Sequence, residues 1–438
     1  MLIPTPAPCQ IRLIELTGDV GPVTIDPARY RAVGLFFLAH GVPLGHRYLS
    51  AAELPLNTEQ VWNVAVEAIL PALTEYLVRA PSKGGSRVHE LVAANALDSF
   101  GQMLRSRAGS ANGRVSVIIC TRERPDSLAR CLFALSQFSD DSVEYIVVDN
   151  APVTDATREV VAGYPNVRYY VEPRKGLSYA RNTGIRRAQG DLLVFTDDDV
   201  IVTKHWLGEL TRPFSDANVM CTTGLVLPAE MESDEQSLFE HWLSFSRGYL
   251  PARFDSAWLK RNRKKAAPVW RIGAGASMAI RRSAFGRVGY FDTRLGAGAA
   301  GCSEDSEFWY RLLQAGLVCE YAPAAFVLHH HRMDRAGLVS QMRLYARGHA
   351  AALLVQFFRS HETGNLTRLC GELPRVYLRK LGSSVIYPEW RRFWLATLWG
   401  HVAGMFYLVG RRKDRSAPME AHGEPVALAS GPGSHGQR

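Results

Sequence analysis

A chain of 438 residues can hold two or three domains, and 47% hydrophobic with 21% charged residues is a globular composition that excludes a disordered or collagen-like polymer. Seven cysteines, with no CxxC pair and no regular spacing, exclude a disulfide framework and fit a reducing cytosol, and MLIPTPAPCQ has neither the basic nor the apolar region of a signal peptide. The formal charge is +9, but residues 332–415 hold 15 Lys and Arg against 5 Asp and Glu, so that one segment accounts for the whole excess.

Residues 1–113 read as a small α+β module ending in a linker. IRLIEL (11–16) and AVGLFFLAH (32–40) have the character of strands, separated by Gly-Asp and Gly-Pro turns. Asn57-Thr58 offers an N-cap to the apolar-periodic run VWNVAVEAILPALTEYL, with a kink or break expected at Pro71. A second helical run covers 88–104, and RSRAGSANGR (105–114) is a linker by composition. His40 and His46 flank a Gly-rich turn and read as structural.

From residue 114 the chain alternates strands and helices. VSVIIC stops at Thr121-Arg122-Glu123-Arg124, and Pro125-Asp126 opens a helix to Ser136. EYIVVD ends at Asp149-Asn150 before a helix near 154–162; NVRYYVE and GLSYARNTGIRRA repeat the pattern. LLVFTDDDV (192–200) closes the series with Asp197, Asp198 and Asp199. This alternation predicts βαβ units and a parallel sheet. Thr121, Asp149 and Asp197 each follow the last apolar residue of a strand, so all three fall on one edge, where open α/β sheets bind ligands. Adjacent carboxylates repel one another unless a cation or solvent neutralises them. No GxGxxG and no GxxxxGK[ST] is present, so any phosphates must be held by basic residues and a metal on the acids. Mg²⁺ or Mn²⁺ suits one or two carboxylates completed by phosphate oxygens and water.

VSVIICTRERPDSLARCL, EYIVVDNAP, GLSYARNTGI and FTDDD, in this order and spacing, resemble the family 2 glycosyltransferases, in their bacterial, non-processive form. The resemblance covers residues 115–331 and implies an α/β, A-type nucleotide-diphospho-sugar transferase fold (Rossmann-like, mostly parallel sheet flanked by helices). It implies that Asp149 hydrogen-bonds the nucleotide base, with Thr121 and Arg122 lining the same pocket, and that Arg181 and Asn182 border the donor phosphates. Asp197 and Asp199 match the family's DxD, Asp197 near ribose and metal and Asp199 on the metal, with Asp198 in the variable middle position. RIGAGASMAIRRSAF (271–285) matches the loop at the sugar and acceptor site. Glu304-Asp305 matches the acidic pair that opens a helix, with Asp305 the expected general base. His329, first of HHH (329–331), matches a metal-completing His, and strand alternation would put His329 and His331 on one face with His330 opposite. The QxxRW of processive relatives is missing, Gln341 being the nearest start, so a single sugar addition is expected.

Beyond residue 335, HAAALLVQFF (349–358) and FWLATLWGHVAGMFYLV (393–409) are the most apolar stretches. The second has 17 residues, contains His401, and is bracketed by Arg391-Arg392 and Arg411-Arg412-Lys413. Basic clusters on both sides fit a single span poorly and fit a helix lying in the cytoplasmic leaflet, or a shallow hairpin with 349–358. Residues 416–438 are expected to be disordered. The sequence therefore divides as 1–113, a catalytic domain at 114–335, a basic membrane-associating segment at 336–415 and a tail. The expected function is inverting, metal-dependent transfer of one sugar from a nucleotide-diphospho-sugar donor to a lipid-linked or saccharide acceptor. The expected location is the cytoplasmic face of the plasma membrane, with an anionic surface as partner and no nucleic acid. A nucleotidyltransferase on a similar sheet is the enzymatic alternative, but TRERPDS lacks the Gly-rich loop it would need. A non-catalytic basic nucleic-acid-binding or scaffold protein is the other.

Overall fold

The computed structural model describes residues 5–79, 97, 98, 100, 101, 104, 113–138, 140, 142–383 and 390–408. The helical run at 88–96, the linker as far as residue 112, Arg411–Lys413 and the tail lie outside the described residues.

The leading module is a three-stranded sheet of β1 (Cys9–Glu15), β2 (Ala32–Ala39) and β3 (Val42–Ser50), followed by helix α1 (Thr58–Arg79). β3 was not legible as a strand. It pairs antiparallel with β2 through a turn at His40-Gly41, placing His46 within the strand, against the Phe36 ring. β2 is buried on both faces because it stands between two cores. Phe36 and Leu38 join the core of the large sheet, while Val33, Leu35, Phe37 and Ala39 pack in the module's own core with α1. Asn57 and Gln60 cap α1 reciprocally, each side chain accepting from the other's backbone N–H at 2.9 Å. The helix runs through Pro71 without a break.

The large sheet carries the site. Its elements are β4 (Val115–Thr121), α2 (Pro125–Ser136), β5 (Val143–Asn150), α3 (Ala156–Ala162), β6 (Val167–Glu172), α4 (Leu177–Arg187), β7 (Leu192–Asp197) and β8 (Val200–Val202). They continue with α5 (Trp206–Thr211), β9 (Val219–Pro228), α6 (Asp234–Trp242), β10 (Ala252–Phe254), α7 (Ser256–Asn262), β11 (Ser277–Arg281), α8 (Arg282–Val288), α9 (Glu304–Gln314) and β12 (Val318–His329). Strand order is β10-β12-β9-β11-β7-β4-β5-β6, with β8 on β12. β4, β5, β6 and β7 are parallel as expected. β11 runs antiparallel to both β7 and β9, so the sheet is mixed. An apolar run buried on both faces carries no mark of its direction, which is why only the βαβ half was legible. Alternate residues feed two cores: Ile118, Ile146, Val148, Leu193 and Phe195 on one face, Val117, Ile119, Val147, Leu192 and Val194 on the other.

The C-terminal part is α10 (Arg335–Ser360), α11 (Leu373–Ser383) and α12 (Arg391–Tyr407). α12 lies against α10, with Gly400 and Gly404 directly on the backbone carbonyls of Arg343 and Arg347. Any side chain at those glycines would force the two helices apart. His401 is buried, a ring nitrogen 3.0 Å from the Leu369 carbonyl. Phe393, Trp394, Thr397, Gly400, His401 and Gly404 are therefore internal packing. Among the described residues no helix is long and apolar enough to cross a membrane. One face of the helix points outward: Leu395, Trp399, Val402 and Phe406 are 44%, 64%, 38% and 64% exposed. At this spacing they form one stripe.

Candidate active site

The register of the sheet places the predicted strand ends side by side. Thr121 pairs with Asp149 across β4 and β5, and Asp197 pairs with Cys120 across β7 and β4. One edge thus gathers Thr121, Asp149 and Asp197, with exposed Arg122 next in the chain.

Asp149 is fully buried. Tyr169 donates its hydroxyl to Oδ2 at 2.8 Å, while Oδ1 has no hydrogen-bond partner. Burial pushes the carboxyl up, against hydrogen bonds that lower it. A buried carboxylate oxygen with an unused lone pair can take a donor from a ligand. Glu172, the terminal acid of β6, was not singled out, although the same strand-end rule reaches it. It accepts from Arg174 Nε (2.9 Å) and Nη2 (3.1 Å) and from Thr183 Oγ1 (2.6 Å). Burial alone would raise its carboxyl, but these bonds outweigh it and hold the group at about 2. Asn150 fixes the same loop, donating to the Arg174 carbonyl and accepting from Gly176 N at 2.8 Å.

The three adjacent acids separate by direction. Asp198 turns inward and is 4% exposed. It accepts from Thr121 Oγ1 (2.7 Å) and pairs with Arg124 Nη1 (2.6 Å). Burial, then the neighbouring Asp199 charge, raise this carboxyl to about 7. Thr121, expected to line the base pocket, is thus engaged with Asp198. Asp199 pairs with Arg124 Nη2 (2.9 Å) and His329 Nε2 (3.2 Å). Burial raises its carboxyl, but His329 and Arg124 outweigh that and hold it well below the usual range. Asp197 has the most accessible side chain of the three, 33% exposed, and lies 3.4 Å from Arg181 Nη2. Arg124 escaped the sequence reading, although it stands just before the Pro that opens α2.

Arg181, expected at the phosphates, is 2% exposed and held by acids instead. Its Nη1 donates to Glu304 Oε1 at 2.6 Å, and its guanidinium stands 5.5 Å from the Phe291 ring centre. Asn182 also differs from expectation. Its amide bonds both ways to the Phe291 backbone, donating to the carbonyl (2.9 Å) and accepting from the N–H (3.0 Å). It ties α4 to the loop before α9 and is 1% exposed, so it does not border an open phosphate site. Glu304 and Asp305 do open α9. Glu304 is buried on Arg181, while Asp305 is partly exposed and accepts from Gly275 N at 3.1 Å. Gly275 belongs to the small-residue loop ahead of β11, and a Cβ there would stand 2.8 Å from Arg181 Nη2 and 3.3 Å from Asp305 Oδ2.

At the end of β12, His329 and His331 share a face, with Nδ1 atoms 3.0 Å apart, and His330 turns away to Glu230. The donor set Asp197, Asp199 and His329, two hard carboxylates and an imidazole, fits Mg²⁺ or Mn²⁺ chemistry. Among the described residues, however, no three His, Cys, Asp or Glu side chains stand together as a ready-made cage. Arg181, Arg124 and the His329 ring itself lie on the carboxylate oxygens. All seven cysteines are free thiols.

Residues 116–289 match the model of glycosyl transferase family 2. The chain is 28% identical over 321 residues to the pre-mycofactocin glycosyltransferase of Mycobacterium tuberculosis, covering 72% of this chain and 63% of that protein. It is 34% identical over 100 residues to glycosyltransferase AglE of Haloferax volcanii, 21% of this chain and 33% of that one. The chain thus spans less than two thirds of the length of these curated relatives. Among solved structures it resembles mannosyltransferase PcManGT of Pyrobaculum calidifontis, in complex with GDP-Man and Mn²⁺, at 16% identity and a TM-score of 0.46, over 76% of this chain and 99% of that one. The strand ends that carry Asp149, Asp197 and Asp199 all lie within residues 116–289, the stretch of this chain that matches the glycosyl transferase family 2 model.

Proposed function

We propose that the chain is an inverting, metal-dependent glycosyltransferase that moves one sugar from a nucleotide-diphospho-sugar to an acceptor hydroxyl. Arg181 is the observation that carries this reading. One buried guanidinium binds Asp197 of the donor-side turn and Glu304 of the helix that presents Asp305. The acid of the DxD and the candidate base are thereby fixed in one frame. The unused oxygen of Asp149 takes a base N–H, two strands away along the edge. Asp197, Asp199 and His329 would hold Mn²⁺ or Mg²⁺, whose chemistry is to neutralise the departing diphosphate. Asp305 accepts the acceptor's proton at a carboxylate oxygen while that hydroxyl attacks the anomeric carbon in line, and a single displacement inverts the centre. The Gly275 N–H, bonded to Oδ2, orients the carboxylate for this.

In this reading the acceptor is lipid-linked or a polysaccharide precursor at the inner face of the membrane. The exposed stripe of α12 and the exposed Arg391 and Arg392 at its start support that placement, by apolar insertion plus attraction to anionic lipid. A second acceptor reading, a pre-mycofactocin-type molecule, comes from the Mycobacterium relative, whose similarity covers 72% of the chain. A thermal-shift panel of nucleotide sugars with and without Mn²⁺ tests the reaction class. One nucleotide family should stabilise the protein, and more strongly with metal. Salt-sensitive binding of RNA or DNA that ignores Mn²⁺ and every nucleotide sugar would overturn it. Radiolabel transfer to a polyprenyl-diphosphate saccharide or to a pre-mycofactocin acceptor then separates the two acceptors.

A further inference from the structure

His329 does not stand alone at the end of β12. His331 Nε2 lies 2.6 Å from Glu240 Oε1, and the two Nδ1 atoms of His329 and His331 lie 3.0 Å apart. His329 Nε2 faces Asp199 Oδ1 at 3.2 Å. The result is a continuous line, Glu240, His331, His329, Asp199, running from α6 to the DxD turn. α6 grips His331 at a second point, because Gln236, one turn before Glu240, donates its amide to the His331 carbonyl at 3.1 Å. Phe239 and Phe245 wall the line, their ring centres 4.5 Å from His331 and 5.2 Å from His329 respectively.

The hydrogen-bond roles follow from chemistry. An ionised Glu240 only accepts, so His331 Nε2 carries the hydrogen on that side. If His329 Nε2 ligates a cation, its ring hydrogen is on Nδ1, and a buried N–H there needs an acceptor. Opposite it lies His331 Nδ1, which can accept because the His331 hydrogen is committed to Glu240. Metal-bound histidines usually have their second nitrogen anchored by a carboxylate, a carbonyl or water, and losing that anchor costs about 10–100-fold in metal affinity. Here the anchor is a second imidazole backed by a carboxylate.

We propose that His331 and Glu240 are positioning residues that fix the His329 ring with Nε2 presented to the Asp199 carboxylate, and so set the affinity of the site for a divalent cation. This rests on the metal reading of Asp197, Asp199 and His329. The probe is Mn²⁺ alone, titrated into the full chain by electron paramagnetic resonance. His331→Phe keeps a ring between Phe239 and Phe245 but offers no acceptor, and should weaken Mn²⁺ binding about 10–100-fold. His331→Gln, whose amide oxygen can accept from Nδ1–H, should recover part of that loss. Glu240→Leu, which keeps a side chain of similar size where Glu240 is 10% exposed, should weaken binding in the same direction and serves if His331→Phe does not fold. Ring ¹⁵N shifts of the Mg²⁺-loaded protein should show the Nδ1–H tautomer at His329. If His331→Phe and Glu240→Leu bind Mn²⁺ as tightly as the unaltered chain, the positioning role is refuted while the metal site stands. If the unaltered chain binds no Mn²⁺, the metal reading itself fails and this inference with it.

Discussion

Gly275→Ala isolates the geometry of the reacting centre with a single methyl group. The added Cβ would meet Arg181 Nη2 at 2.8 Å, roughly 0.6 Å inside the 3.4 Å at which ordinary contact begins. Arg181 cannot swing clear, because it is 2% exposed, bonded to Glu304 at 2.6 Å and lies over Phe291. Something in the frame that joins Asp197 to Asp305 must therefore shift. Overpacking of this kind costs about 1–3 kcal/mol of stability. The catalytic consequence is larger, since a misplacement of about 1 Å at a reacting centre can cost about 10²-fold in rate. Sugar transfer from the donor identified by the thermal panel, followed by nucleoside-diphosphate release, measures it. We expect turnover to fall about 10²-fold while nucleotide affinity, which the proposed function assigns to Asp149 further along the edge, changes little. Wild-type turnover in a folded Gly275→Ala protein would refute the frame.

Glu172→Gln tests the loop after β6. A carboxyl held at about 2 contributes stability above its unfolded value near 4.5 and loses it as pH falls through that window. The substitution should cost about 2 kcal/mol at pH 7, discounted because Arg174 is 45% exposed, and should remove the decline in stability between about pH 4.5 and 2. Urea unfolding across pH checks both; an unchanged acid limb would contradict the assignment. Trp399→Glu with Phe406→Glu tests the outward stripe of α12. Withdrawing two large side chains removes about 3 kcal/mol of apolar insertion, or about 10²-fold in partition onto phosphatidylglycerol vesicles. Equal sedimentation of the double variant, or a full-length chain that ignores vesicles at low salt, would leave the stripe without a membrane role.

The sequence revealed the edge but not the partners that hold it. A strand buried on both faces announces itself as an apolar run, and the residue after the run must lie at the sheet edge, so Thr121, Asp149 and Asp197 were legible. What each acid touches was not. Arg181 and Glu304 are 123 positions apart, Thr121 and Asp198 are 77, and no local periodicity reports such meetings. The inward turn of Asp198 depends on Arg124 and Thr121 being opposite it, so three equal letters gave no sign of three different directions. Asn182 looked available because its helix reaches the site, yet its amide is complementary to the Phe291 backbone. β3 was hidden by the Gly and Pro residues in VPLGHRYLS, which read as turn chemistry until pairing with β2 overrides it. The apolar C-terminal run was legible as helix. Its division into a packed face and an outward face depends on the contact of Gly400 and Gly404 with α10.

Asp305→Asn tests the central claim most directly. The substitution preserves shape and can still accept from Gly275 N, but it removes the group assigned to take the acceptor's proton. Turnover in the Mn²⁺-dependent transfer assay should fall about 10²–10⁴-fold, with nucleoside-diphosphate affinity and melting temperature near those of the unaltered protein. Turnover within a few-fold of the unaltered protein would contradict the account and leave Asp305 as an acid that only favours the first turn of α9.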